Sequence, residues 1–149
     1  MKKRAPYINV WKELSYDKAM IFLAGPRQSG KTTLTKIIAA SFSNSLYWNW
    51  DIVNNRTHLL QDPGFFSHLV RKDNSVPLII FDELHKYKDW KNYLKGVYDE
   101  FSDEFKFLIS GSGRLDIYQK GGDSLAGRVL SFSSLSLHHC RTGWHEQAF

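Results

Sequence analysis

Residues Gly25 to Thr32 read GPRQSGKT and fit the spacing G-x-x-x-x-G-K-[ST]. In such a run the backbone N–H groups of a short loop can wrap a polyphosphate. The lysine adds a point charge near the β- and γ-phosphates, and the final hydroxyl can ligate Mg²⁺. The residues expected to line that loop are Gly25, Pro26, Arg27, Gln28, Ser29, Gly30, Lys31, Thr32 and Thr33, with Lys31 as the cation and Thr32 as a metal ligand. Arg27 reads as a solvent-exposed spacer. Gly25 and Gly30 permit turn conformations and a close approach of backbone to ligand. The plain alternative is a chance match in a surface loop. The flanks oppose it: Met20 to Ala24 (MIFLA) is strand-like, and the run from Lys31 is helix-like, so its partial positive end would face the phosphates.

Hydrolysis of a triphosphate further needs a metal, a positioned water and compensation of charge on the transferring group. In LIIFDE, Asp82 stands at the carboxyl end of a buried-looking strand, where it can hold the Mg²⁺ shell. Glu83, next to it, can orient or deprotonate the attacking water. Two carboxylates in a solvated turn would be unremarkable without the upstream loop. Ser110 and Ser112, at the end of another strand-like run, could each meet the γ-phosphate or the water from a second side, or be no more than a small-residue turn.

The elements that would position these residues alternate in type. After the loop, Leu34, Ile37, Ile38 and Phe42 fall at helical spacing. Ser43 to Ser45 read as a turn and Leu46 to Asp51 as a second strand. Asn54 to Leu60 reads as a short helix broken at Asp62-Pro63-Gly64, and Phe65 to Val70 as another. Val76 to Phe81 (VPLIIF) is nearly all apolar, as a parallel strand covered on both faces would be. Asp89 is the expected N-cap of a helix whose stripe Trp90, Tyr93, Leu94, Val97, Tyr98 and Phe101 reads as core packing. Phe105 to Ser110 and Val129 to Leu137 supply two more strands. Alternation of this kind implies an α/β protein with a parallel sheet between two helical layers and right-handed crossovers.

With 149 residues the chain suits one domain with a real core. Its single cysteine, Cys140, excludes an internal disulfide and suits a reducing compartment. No apolar run approaches the roughly 20 residues that span a bilayer, and the N-terminus lacks a secretory signal's apolar stretch, so a soluble cytoplasmic protein with no membrane partner is expected. The net charge of +5 is spread out, apart from Lys2, Lys3, Arg4 and a loose group at Lys86, Lys88, Lys91 and Lys95. Such groups are more often solvated faces than nucleic-acid sites, and they leave a nucleic-acid or protein partner open.

In order along the chain, FLAGPRQSGKTTL, LYWNWD, LIIFDELHKYKDWKNYLKGVYDE, FLISGSGRLD and SLAGRV resemble the prokaryotic AAA-type ATPases that carry an uncharacterised C-terminal domain after the ATPase core. The resemblance runs from about Met20 to Leu137. It implies a three-layer α/β P-loop NTPase of the additional-strand, catalytic-glutamate type, with Lys31, Thr32, Asp82, Glu83 and Arg128 at the family's motif positions. ATP and Mg²⁺ are the implied ligands, and Lys31, Glu83 and Arg128 the implied catalytic groups. A guanidinium can match phosphoryl oxygens with two hydrogen bonds, so Arg128 is expected to act on the γ-phosphate, in its own subunit or from a neighbour in a homo-oligomer.

This reading divides the chain into an N-terminal segment (1–18), an ATPase core (19–137) and an irregular tail (138–149). The tail, HHCRTGWHEQAF, departs from the family pattern, and members of the family are much longer, so a truncated or frame-disrupted reading frame is expected. The spacing of His138, His139, Cys140 and His145 matches no standard zinc site. Two alternatives stand beside an ATPase: a small-molecule kinase on the same kind of loop, and a fragment that binds nucleotide without turnover. The Asp82-Glu83 pair favours attack by water over transfer to a bound hydroxyl.

Overall fold

In a computed structural model of the chain, the described residues are 9, 11–13, 16, 19–25, 30–111, 128–131 and 146–148. Their strands form one sheet in the order β2 (Ser45–Asn49), β3 (Leu78–Asp82), β4 (Lys106–Gly111), β1 (Met20–Ala24), β5 (Arg128–Ser131), β6 (Glu146–Ala148). The first five are mutually parallel and β6 runs antiparallel to β5. This is the α/β P-loop NTPase fold, with β4 as the additional strand between the loop-bearing β1 and the acidic β3.

Alternation along each strand builds the two halves of the core. Met20, Phe22, Ile79, Phe81, Phe107 and Ile109 point to one face, where they meet Leu59 of α2 (Val53–Gln61) and Trp90, Leu94 and Val97 of α3 (Trp90–Phe101). Ile21, Leu23, Leu78, Ile80 and Leu108 point to the other, where they meet Leu34 and Ile38 of α1 (Lys31–Ala40). The chain moves one way across the sheet from β1 to β2 with α1 on one face. It moves back through β3 to β4 with α2 and α3 on the opposite face, as crossovers of a single hand require. Phe81 is fully buried, edge-on to Trp48 at 5.5 Å and stacked over Phe107 at 6.3 Å. Removing a ring from such a site costs roughly 3–5 kcal/mol.

Several element boundaries differ from those expected. β2 stops at Asn49 because the Asn49 side chain accepts the Asp51 amide at 2.9 Å and its carbonyl accepts the Ile52 amide at 3.1 Å, which turns the chain. β3 starts at Leu78, after Pro77, which has no N–H for the ladder, and runs on to Asp82. Phe65–His68 is a single 3₁₀ turn held by Gly64, whose carbonyl takes both the amide and the hydroxyl of Ser67. Leu69 and Val70, expected to continue a helix there, lie beyond the turn, and Val70 is exposed. Asp89 precedes α3 without capping it through its side chain, and its carboxylate instead accepts a hydrogen bond from the side-chain Nδ2 of Asn92 at 3.0 Å. The stretch expected to be an irregular tail contains the strand Glu146–Ala148, which takes its ladder bonds from β5. Among the described residues no helix is long and apolar enough to cross a membrane.

Candidate functional site

The site is set by where three parallel strands end. Leu23 of β1, Ser110 of β4 and Asp82 of β3 lie in one row across the sheet, and the chain leaves β1 directly into Gly25. Gly30 closes the loop with φ 93°, a left-handed conformation that a residue with a Cβ adopts only under strain. Its carbonyl takes the Leu34 amide at 3.0 Å, starting α1. Pro26, Arg27, Gln28 and Ser29 lie outside the described residues, as do Ser112, His138, His139, Cys140 and His145.

Lys31 opens α1, and its Nζ donates to the Gly25 carbonyl at 2.7 Å. The side chain is 7% exposed. Burial lowers its pKa, and the charges of Glu83 and Asp82 oppose that shift. The sheet therefore brings together the cation of the loop and the carboxylates of Asp82 and Glu83 at the end of β3, 51 and 52 positions away in sequence. Thr32 and Thr33 stand exposed in the first turn of α1, which is fixed from below where the buried Thr35 hydroxyl donates to the Thr32 carbonyl at 2.7 Å.

Asp82 is 5% exposed, and burial raises its pKa against the opposing effect of a hydrogen bond from the Tyr47 hydroxyl on the edge strand β2. Burial, followed by the same contact, raises the Tyr47 pKa well above its ordinary value, as expected for the donor of that bond. Glu83 departs from the strand with φ 59° and ψ 21°. For a residue with a side chain this costs on the order of 1–2 kcal/mol, and such outliers gather at functional sites. Two bonds hold it there: the Glu83 amide donates to the Ser110 carbonyl at 2.8 Å, and the Glu83 carbonyl accepts the Lys86 amide at 3.1 Å. Its carboxylate lies 3.2 Å from Lys86 Nζ and 3.7 Å from His85 Nε2.

Ser110 completes the row. It is 1% exposed, and its Oγ has no hydrogen-bond partner among the described residues. Leaving a buried hydroxyl unmade costs about 1–3 kcal/mol, so an oxygen-rich ligand at this edge would relieve a real deficit. Mg²⁺ is usually held by one or two side chains together with substrate phosphates rather than by a protein cage. That habit fits a site with Thr32 and Asp82 as donors. Among the described residues no group of three or more His, Cys, Asp or Glu comes together for a tighter metal.

The backbone of Arg128 enters the sheet further back. It pairs with Ile21 at the start of β5, three residues before the row of Ala24, or roughly 10 Å back along the strand. Tyr47, Asp51 and Lys86 form part of the site although nothing in the local sequence singled out Tyr47. Asp51 stood only as the polar end of a strand, and Lys86 only as one of a loose basic group.

Comparisons with known proteins bear on the family and the fold. Uncharacterized protein Rv2008c of Mycobacterium tuberculosis and Uncharacterized protein Mb2031c of Mycobacterium bovis are each 31% identical to the chain over 110 residues, 74% of its length. The chain spans 23% of the length of either relative. A solved DNA replication initiation factor shares the fold, with a TM-score of 0.54 at 14% identity over 89% of this chain and 46% of that one. A structure of Thermotoga maritima RuvB aligns with a TM-score of 0.47 at 23% identity over 75% of this chain and 36% of its own. The family model described as an AAA domain matches residues 17–140, and the chain belongs to that family, as a nucleotide-binding domain of the ATPase type.

Proposed function

We propose that the chain binds ATP with Mg²⁺ at the carboxyl edge of β1, β4 and β3 and hydrolyses it. The observation that carries this reading is the convergence there of a buried lysine, two carboxylates and an unsatisfied buried hydroxyl, on strands distant in sequence.

Each residue has a task that its surroundings support. Lys31, already stripped of most solvent, exchanges its Gly25 carbonyl for phosphate oxygens, so binding demands little further dehydration. Thr32 and Asp82 would hold the cation, which when bound neutralises charge on the β- and γ-phosphates. Glu83, turned out of the strand, accepts a proton from the attacking water and aligns it with the γ-phosphorus. Ser110 offers its hydroxyl to the γ-phosphate or the water from the neighbouring strand. A homo-oligomer, and a protein or nucleic-acid partner that uses the resulting cycle, belong to the same proposal.

A comparison of two variants tests it. Glu83→Gln should bind ATP in Mg²⁺ normally yet release phosphate about 10²–10⁴-fold more slowly, the usual contribution of a general base. Lys31→Ala should lose more than tenfold in nucleotide affinity, since a charge-assisted contact is worth roughly 1.5–3 kcal/mol. Parental turnover in Glu83→Gln would remove the glutamate from the chemistry, and unchanged binding in Lys31→Ala would remove the nucleotide from this loop.

A further inference from the structure

The donor that Asp82 receives from the edge strand has no part in the scheme above. Tyr47 lies on β2 two residues before Asn49, whose Cα is paired with that of Asp82. Its ring reaches along the strand, so that its hydroxyl donates to Oδ2 of Asp82 while the side-chain Nδ2 of Asn49 donates to that hydroxyl at 3.4 Å. Tyr47 has 37% of its surface exposed, whereas Asp82, to which it donates, is buried. A hydroxyl has a single proton, and this one is committed to the carboxylate.

From this geometry we infer that Tyr47 is a positioning residue for the cation: it ties down one oxygen of Asp82 and sets the rotation of the carboxylate, so that Oδ1 is presented to the metal shell. The inference rests on the assignment of Asp82 to that shell. A carboxylate on the last residue of a strand can turn about its final bond, and a fixed hydrogen bond removes that freedom before the cation arrives. Partners that orient a metal-binding side chain typically change metal affinity by about 10–100-fold when removed. The edge position of β2 makes the bond separable from the fold, because the Tyr47 ring is largely outside the core and its loss leaves the ladder to β3 intact.

The test uses the full chain and Mn²⁺ as the probe, with binding followed by electron paramagnetic resonance in the presence of a non-hydrolysable ATP analogue. Nucleotide affinity is measured in parallel in excess chelator. Tyr47→Phe should weaken Mn²⁺ binding by about tenfold or more while leaving metal-free nucleotide affinity unchanged, and Tyr47→Leu should do the same, because the two variants share only the missing hydroxyl. Asp82→Asn serves as the reference for loss of the ligand itself. If Asp82→Asn weakens Mn²⁺ and Tyr47→Phe does not, the positioning role is overturned and the metal assignment survives. If neither variant changes Mn²⁺ affinity, the assignment of Asp82 fails and the role of Tyr47 goes with it. Equal losses with and without metal in Tyr47→Phe would make the tyrosine a structural residue and would also overturn the inference.

Discussion

Lys86 Nζ lies 3.2 Å from the carboxylate of Glu83 and, at 2.8 and 2.9 Å, takes both oxygens of Asp51 from the turn after β2. The hydrogen bond to Asp51 is the main reason the Lys86 pKa rises. One ammonium thus anchors to the loop beyond the edge strand and reaches back to the residue expected to meet the water. The carboxylate oxygen it covers is one that a water proton must find. Lys86→Met should therefore raise the rate of ATP hydrolysis, by up to about fivefold if the contact is worth the roughly 0.2–1 kcal/mol typical of exposed pairs. Steady-state phosphate release at saturating ATP reads it. A fall in rate would mean that the ammonium orients Glu83 instead of competing with its water.

The loop before β3 is tied by a different acid. The Asp73 carboxylate accepts the Ser75 hydroxyl and, at 2.9 Å, the Ser75 amide, while Asn44, buried beside it, donates at 3.0 Å. These bonds, led by that from the Ser75 hydroxyl, hold the Asp73 pKa down to about 2. A carboxylate that is more acidic folded than unfolded adds stability above its unfolded value, near about pH 4, and gives it up as the pH falls toward its folded value. Asp73→Ala should accordingly lower the urea midpoint at neutral pH and lose less than the parent between about pH 4 and pH 2. Urea titrations across that window check this, and parallel pH profiles for the two proteins would dissociate Asp73 from acid sensitivity.

How far the sequence carries depends on whether the residues that make a feature are neighbours in it. The loop and its flanks are contiguous, so β1 and α1 appear where the apolar pattern puts them, at Met20–Ala24 and from Lys31. The run before Asp82 is apolar throughout because helices cover both of its faces, and that too is visible locally. Contacts that cross the sheet are another matter. Tyr47 with Asp82 and Lys86 with Asp51 each join residues 35 positions apart, and the Glu83 amide finds Ser110 only because β4 inserts between β1 and β3. Strand order decides those pairs, and composition does not encode it. The 3₁₀ turn at Phe65–His68 shows a smaller version of the same limit: its two aromatic rings are needed in the core, but Gly64 sets how the chain delivers them.

Arg128 tests whether the site is complete within one subunit. Its strand begins beside Ile21, at the end of β1 remote from Gly25, so the backbone does not carry the residue toward its own loop. If the arginine serves the γ-phosphate, as the family motif implies, action from a neighbouring subunit is the arrangement this register favours. An arginine supplied to the transferring group is worth roughly 10³–10⁵ in rate, with a smaller share in ground-state binding. Arg128→Ala should thus bind ATP nearly as the parent does and turn it over poorly. Mixing it with Lys31→Ala separates the two arrangements, because an interface between them pairs an intact loop in one subunit with an intact arginine in the other. Recovery of phosphate release in the mixture is the expected outcome. No recovery in a mixed oligomer, shown to form by cross-linking, would return the arginine to its own subunit, and parental turnover by Arg128→Ala alone would dismiss it from the reaction.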